Sequence, residues 1–304
     1  MGATMRYPLL PRILVAVLGL LVFSQSAATA LDLEAQGFPR TAAAEWIVGG
    51  VLAVFLFALS VAPGELDALL PRGSRVDLRR AAHFGAIVAA VGSLYVLLGL
   101  AGVVDTVHGL ELQERGEDPF GIEDERTVLV GLALNAVVLL GAPFLWVAST
   151  RPGEPVFRAL GLTSERGGRA FGLGIVFALL AIAVAAAATV VVTNLTGWTL
   201  PVNERALGIG AALSPVGAFL VAAASGLVEE VYFRGWLQPR IGLLGQALVF
   251  TAAHLNYLHV GETIAVFVLA LLFGLLFRAT KNLWAPIGAH FAFNLVMLLA
   301  ASAA

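Results

Sequence analysis

Three short stretches near the end of the chain place ionisable side chains among apolar residues. Glu229, Glu230 and Arg234 close an apolar run that begins near Leu207. Glu230 and Arg234 are four residues apart, so on a helix they share a face and can pair. Glu229 is turned about 100° from its neighbour on an ideal helix, so it meets different partners. Two carboxylates in a low-dielectric site can divide acid and base roles between them. His254 lies in the short apolar run that contains Phe250. His290 and Asn294, again four apart, share a face well inside the last apolar segment. Two aligned hydrogen-bonding side chains can also stabilise an oxyanion. Each stretch alone also has a plain structural reading. Charges at a helix end reach the headgroups, a helical His bonds its neighbours, and His with Asn can hold helices together. A charge at mid-membrane costs roughly 2.5–3.5 kcal/mol. Three such stretches on successive segments, with nothing comparable in the first 200 residues, therefore favour chemistry.

The elements that must position these groups follow from composition. Of 304 residues, 59% are apolar and 12% charged, against about 45–50% and about 25% in soluble domains. That balance excludes a soluble globular enzyme and a disordered chain. The chain has no Cys, so it has no disulfide, Cys zinc site or Cys nucleophile. A net charge of −2 gives no case for nucleic acid. The fold class expected is all-α, a polytopic transmembrane helical bundle of about 8–9 spans. Candidate spans are 12–31, 45–63, 83–104, 127–149, 170–193, 207–228, 241–258, 262–278 and 283–302. They are too long, and too uniformly apolar, for barrel strands.

Counting loops alternately along nine spans, one side holds 14 basic residues and the other 4. The first set is Arg6, Arg12, Arg72, Arg75, Arg79, Arg80, Arg151, Arg158, Arg166, Arg169, Arg234, Arg240, Arg278 and Lys281; the second is Arg40, Arg115, Arg126 and Arg205. The positive-inside rule then puts the N-terminus in the cytoplasm and the C-terminus outside, in a multi-pass plasma-membrane protein. Residues 1–31 read as a first transmembrane helix or a signal peptide, since Arg6 and Arg12 precede a short apolar core and Ala28-Thr29-Ala30 resembles a cleavage site. Residues 32–169 read as an N-terminal transmembrane extension and 170–304 as the core that carries the site. The segment 63–82 is expected as an inner surface helix, 105–126 as a solvated acidic outer loop, and Ser214-Pro215 as a kink. His83, His108 and His259, at span edges or in loops, are expected to be solvated.

The three stretches resemble the CPBP (ABI) family, which includes the Rce1-like CAAX prenyl-protein endopeptidases. Its pattern is Glu-Glu-x-x-x-Arg, then Phe-x-x-x-His, then His-x-x-x-Asn. Here these are Glu229, Glu230 and Arg234; Phe250 and His254; and His290 and Asn294. Phe233-Arg234-Gly235 and Leu283 to Pro286 add to the resemblance, which covers about 210–300. It implies an intramembrane endopeptidase acting on a membrane-embedded, lipidated or CAAX-like protein or peptide. It also implies that Glu229 and His254 activate water, that His290 and Asn294 form the oxyanion site, and that Glu230 and Arg234 order the site. No cofactor is expected. The same Glu229, His254 and His290 could form a two-His, one-carboxylate zinc set, although no His-Glu-x-x-His occurs. Other protease classes fit less well: Ser225 lies in Ala-Ala-Ser-Gly, and no membrane aspartyl pair exists. Two rival readings use the same residues: a catalytically idle scaffold or immunity-type partner, and a transporter or proton relay.

Overall fold

The computed structural model describes residues 7–69, 76–119, 121, 124–196 and 204–303, and every regular element among them is helical. Of the basic residues counted above, Arg6, Arg72 and Arg75 lie outside the described residues, as does the side chain of Arg205. Among the described residues, eight helices are long and apolar enough to cross a membrane. Their large apolar side chains point outward as well as inward, among them Val54, Val137 and Leu179. Such helices suit lipid, where backbone groups are satisfied within the helix and apolar side chains face apolar tails.

The chain forms two units. The first comprises Met1–Glu117 and Phe144–Glu154. Helix α1 (Leu9–Ala35) lies against α2 (Pro39–Val61). Gly37, at φ 86°, makes the left-handed turn between them, and the Phe38 N–H returns to the Leu33 carbonyl. A short α3 (Pro63–Leu69) covers the start of the expected surface helix. Next, α4 (Ala81–Leu94) runs through a π-helical stretch, Tyr95–Val104, into α5 (Asp105–Arg115).

Two expectations fail in this unit. The acidic segment after Val104 is helical to Arg115, and its Glu111 is buried. Glu111 caps α2, accepting from the Arg40 and Thr41 N–H groups at 3.1 and 2.9 Å. A carboxylate is favoured there because the first N–H groups of a helix have no helical partner. His83 is buried as well: the Asp77 N–H donates to Nδ1 at 2.7 Å, so Nε2 carries the proton and donates to the Ser149 carbonyl at 2.9 Å. It closes a local clasp.

The second unit comprises Asp118–Pro143 and Pro155–Ala304, and it holds all six candidate site residues. Its elements after α6 (Glu125–Thr150), whose N-terminal part it contains, are α7 (Val156–Ala159), α8 (Gly167–Thr196), α9 (Glu204–Ala212) and α10 (Pro215–Glu230). They continue through a π-helical turn, Val231–Leu237, to α11 (Gln238–Ala252), a 3-10 turn (Leu255–Tyr257), α12 (Val260–Thr280) and α13 (Trp284–Ser302). Ser214-Pro215 does not kink a helix; it starts one. Pro215 takes the first turn, where its missing N–H costs nothing. Ser214 Oγ accepts from the Gly217 N–H at 3.0 Å and donates to Glu125 at 2.9 Å.

The seventh expected span also changes. Residues 215–257 form a 43-residue run, broken at Gly242 with φ 79° and ψ 176°. Beyond the break α11 has only residues 243–252, about 15 Å of helix against a hydrocarbon core of about 30 Å. It is a half-length helix that stops beside His254.

Helix α13 is the centre of this unit, touching α8, α9, α10 and α12. Close approach depends on absent side chains. A Cβ on Gly174 would overlap the Ala285 carbonyl, and one on Gly288 would overlap the Phe171 carbonyl. Small residues on both helices let the backbones meet, as in other membrane helix pairs. Replacing Gly288 with Leu should push α13 off α8 and destabilise the protein by about 1–3 kcal/mol. The expected readout is a lower melting temperature in detergent, while Gly172→Leu, which faces open space, leaves melting unchanged.

Candidate active site

Helix α10 delivers Glu229 and Glu230 at its C-terminal end, and the π turn that follows is buried at every residue. Wide turns of this kind recur at functional sites. Glu230 and Arg234 are both 0% exposed, and Arg234 Nη1 donates to Glu230 Oε1 at 2.7 Å. Taking two ions out of water costs several kcal/mol each, so a pair this deep needs further partners. They are present. Arg234 Nη2 donates to the Ala270 carbonyl of α12 at 3.3 Å. Its guanidinium carbon lies 4.7 Å from the Phe250 ring centre and 5.6 Å from that of Phe273, both negative faces for a cation. Gln246 donates to the same Ala270 carbonyl at 3.1 Å, and Gln238 to the Gly274 carbonyl at 3.0 Å. These bonds fix the π turn and α11 against α12.

Glu230 Oε1 has a second partner, His290 Nδ1 of α13 at 2.8 Å. A carboxylate held by Arg accepts only, so Nδ1 carries the proton. The other ring nitrogen, Nε2, lies 4.0 Å from Glu229 Oε2. His254 is set in the same way by a different group. Its Nδ1 donates to the Phe250 carbonyl at 2.7 Å, and its ring stacks on Phe250 at 4.5 Å between centres. Its Nε2 lies 3.9 Å from Glu229 Oε2. Phe250 therefore supports Arg234 with its ring and His254 with its ring and carbonyl.

Glu229 stands apart from its neighbour. Its side chain is 16% exposed, against 0% for Glu230. Its buried Oε2 has no hydrogen-bond partner among the described residues. Two imidazole nitrogens face that oxygen at separations that a single water can bridge. One carboxylate is ion-paired with Arg234, and the other faces two imidazoles.

Asn294, one turn beyond His290, donates from Nδ2 to Ser225 Oγ at 2.9 Å. Ser225 is one turn before Glu229 on α10, so this bond ties the two site-bearing helices together.

Residues 211–296 match the family model described as type II CAAX prenyl endopeptidase Rce1-like, a stretch that includes all six candidate residues. This stretch is similar to that family. A 69-residue part of the chain, 22% of its length, is 42% identical to an uncharacterised protein, YpbD, of Bacillus subtilis (strain 168), and covers 36% of that relative. The chain thus spans about a third of the relative's length. No solved structure gives a significant match.

The second unit brings Glu229, Glu230, Arg234, His254 and His290 into one cluster, with Asn294 bonded to Ser225 beside it. Sequence reasoning set Ser225 aside as a failed nucleophile and missed its bond to Asn294; its four-residue spacing from Glu229 is the signal that could have found it. Arg234 was counted among cytoplasmic loop charges, but it is wholly buried. Tetrahedral zinc ligands at about 2.0–2.1 Å are separated by about 3.3 Å, while Glu229 Oε2 lies 3.9 and 4.0 Å from the two nitrogens. Among the described residues no group of three His, Asp or Glu is arranged to hold a metal ion.

Arg234→Ala should strand Glu230 without its cation and cost about 3–5 kcal/mol. The double variant Arg234→Met with Glu230→Leu should regain much of that loss, because the unpaired charge is gone. Detergent melting curves of the three proteins check this; equal melting of the wild type and Arg234→Ala would contradict it.

Proposed function

We propose that this multi-pass membrane protein is an intramembrane CAAX-type endopeptidase that uses a glutamate-activated water and no metal. The observation that carries the reading is the convergence of two oriented imidazoles on the one unpaired carboxylate, Glu229, inside an Rce1-like domain. Glu229 takes a proton from a water as that water attacks the scissile carbonyl. His254, its Nδ1–H held by the Phe250 carbonyl, takes that proton from Glu229 at Nε2 and passes it to the leaving amine. Asn294 supplies a donor to the oxyanion, because its amide has two N–H groups and only one is used by Ser225; His290 joins it once Nε2 has taken up a proton, its Nδ1–H staying on Glu230. Glu230 and Arg234 do not react. They hold His290 in one tautomer, as the buried carboxylate of a hydrolytic triad holds its histidine.

The substrate class follows from the setting. A site among lipid-spanning helices meets chains that are themselves membrane-embedded or lipidated. The orientation reading is supported by two bonds: Asn282 Nδ2 to the Glu165 carbonyl at 3.1 Å and the Leu283 N–H to the Gly161 carbonyl at 2.9 Å. They put the turn before α13 at the same face as the basic segment before α8. That agrees with an inner, cytoplasmic position for both in a plasma-membrane protein.

The test is a survey of new protein N-termini in membranes from cells carrying the wild type, Glu229→Gln or His254→Ala at matched levels. New termini that appear only with the wild type are expected. Identical profiles for all three would favour a scaffold. With a substrate in hand, Glu229→Gln should lower kcat by about 10²–10⁴-fold and Asn294→Ala by about 10²–10³-fold. A chelator should leave the wild-type rate unchanged; loss of activity restored by added zinc would overturn the metal-free scheme.

A further inference from the structure

Away from the catalytic cluster, the second unit has a cavity of about 1160 Å³ at the N-terminal end of α8. None of the six site residues lines it. Four basic side chains do, Arg158, Arg166, Arg169 and Lys281, with one carboxylate, Glu165. Among the described residues none of the four cations has an ion-pair partner. Cations that share one concave wall repel each other, and an anion between them relieves the repulsion. The start of a 30-residue helix adds its own positive end to the same place. We propose that this cavity binds the phosphate headgroup of an anionic phospholipid.

The helix itself says why the phosphate belongs to a lipid. Arg169, Leu173, Val176 and Leu180 follow the spacing of one helix face. Arg169 and Leu173 line the cavity, and Leu173, Val176 and Leu180 are 50%, 65% and 51% exposed. A headgroup held at Arg169 therefore has an apolar track for its acyl chain directly along α8, which is one of the spanning helices. Phe157, 60% exposed, adds a further apolar contact at the cavity wall. A soluble phosphate would use the cations and ignore the track. Basic pockets beside transmembrane helices bind anionic headgroups by this combination.

The test uses the purified full-length protein in a neutral detergent. Binding of phosphatidylglycerol and of phosphatidylcholine is titrated by native mass spectrometry, for the wild type, for the triple variant Arg158→Gln, Arg166→Gln, Arg169→Gln, and for the matching triple Lys variant. The wild type and the Lys variant should prefer phosphatidylglycerol. The Gln variant should lose roughly a hundredfold in phosphatidylglycerol affinity, at about fivefold per basic side chain, with phosphatidylcholine binding and melting unchanged. Equal phosphatidylglycerol affinity in the wild type and Gln variant would overturn the proposal. So would complete displacement of the lipid by millimolar inorganic phosphate, which would make the ligand a soluble anion. If the triple variant does not fold, Lys281→Gln serves: a loss of about fivefold supports the site, and no loss refutes it.

Discussion

The ion pair of Glu230 with Arg234 sets the terms for the rest of the domain. Both side chains are wholly removed from solvent, and an ion pair at that depth is a liability unless its remaining hydrogen-bonding capacity is met. The pair draws on three neighbouring helices: the Ala270 carbonyl and the Phe273 ring from α12, His290 from α13, and the Phe250 ring from α11. Helices that could slide past one another in lipid are thereby held in one register. The glycine notches at Gly174 and Gly288 serve the same end, because α13 reaches the pair only if its backbone can approach α8.

Adjacent identical residues acquire opposite characters from this arrangement. Glu230 is ion-paired; its Oε1 takes both Arg234 and His290, while Oε2 has no hydrogen-bond partner among the described residues. Glu229, one residue earlier, is rotated away from the guanidinium and faces two imidazole nitrogens instead. The difference is a matter of helix phase rather than of chemistry, and unlike surroundings are what let two carboxylates in one site differ in character. The half-length helix after Gly242 completes the set. Because α11 ends early, His254 leaves regular helix at φ −115° and ψ 13°, with its ring turned back over Phe250.

The helical, membrane-spanning class was legible from composition, because the deficit of charge leaves no other solvent for so many apolar residues. The cluster was legible from four-residue spacings, which a helix turns directly into shared faces. What escaped the sequence depends on tertiary partners. Glu111 looked like a loop acid because the N–H groups it caps belong to α2, about 70 residues away. His83 looked solvated because its carbonyl partner, Ser149, is 66 residues distant. Arg234 looked like a cytoplasmic loop charge because a one-dimensional tally cannot see that the helix continues inward as a π turn. The length of an apolar run likewise hid the break at Gly242, since glycine alone does not announce a positive φ.

The most direct test of this account is the protonation site of the two histidines, read by nitrogen-15 NMR of protein labelled at its five histidines, with His254→Gln and His290→Gln used for assignment. The account requires the proton on Nδ1 of both rings, leaving Nε2 toward Glu229, and loss of that preference at His290 alone in Glu230→Gln. A proton on Nε2 in the neutral ring of either histidine, or a His290 indifferent to Glu230, would contradict it.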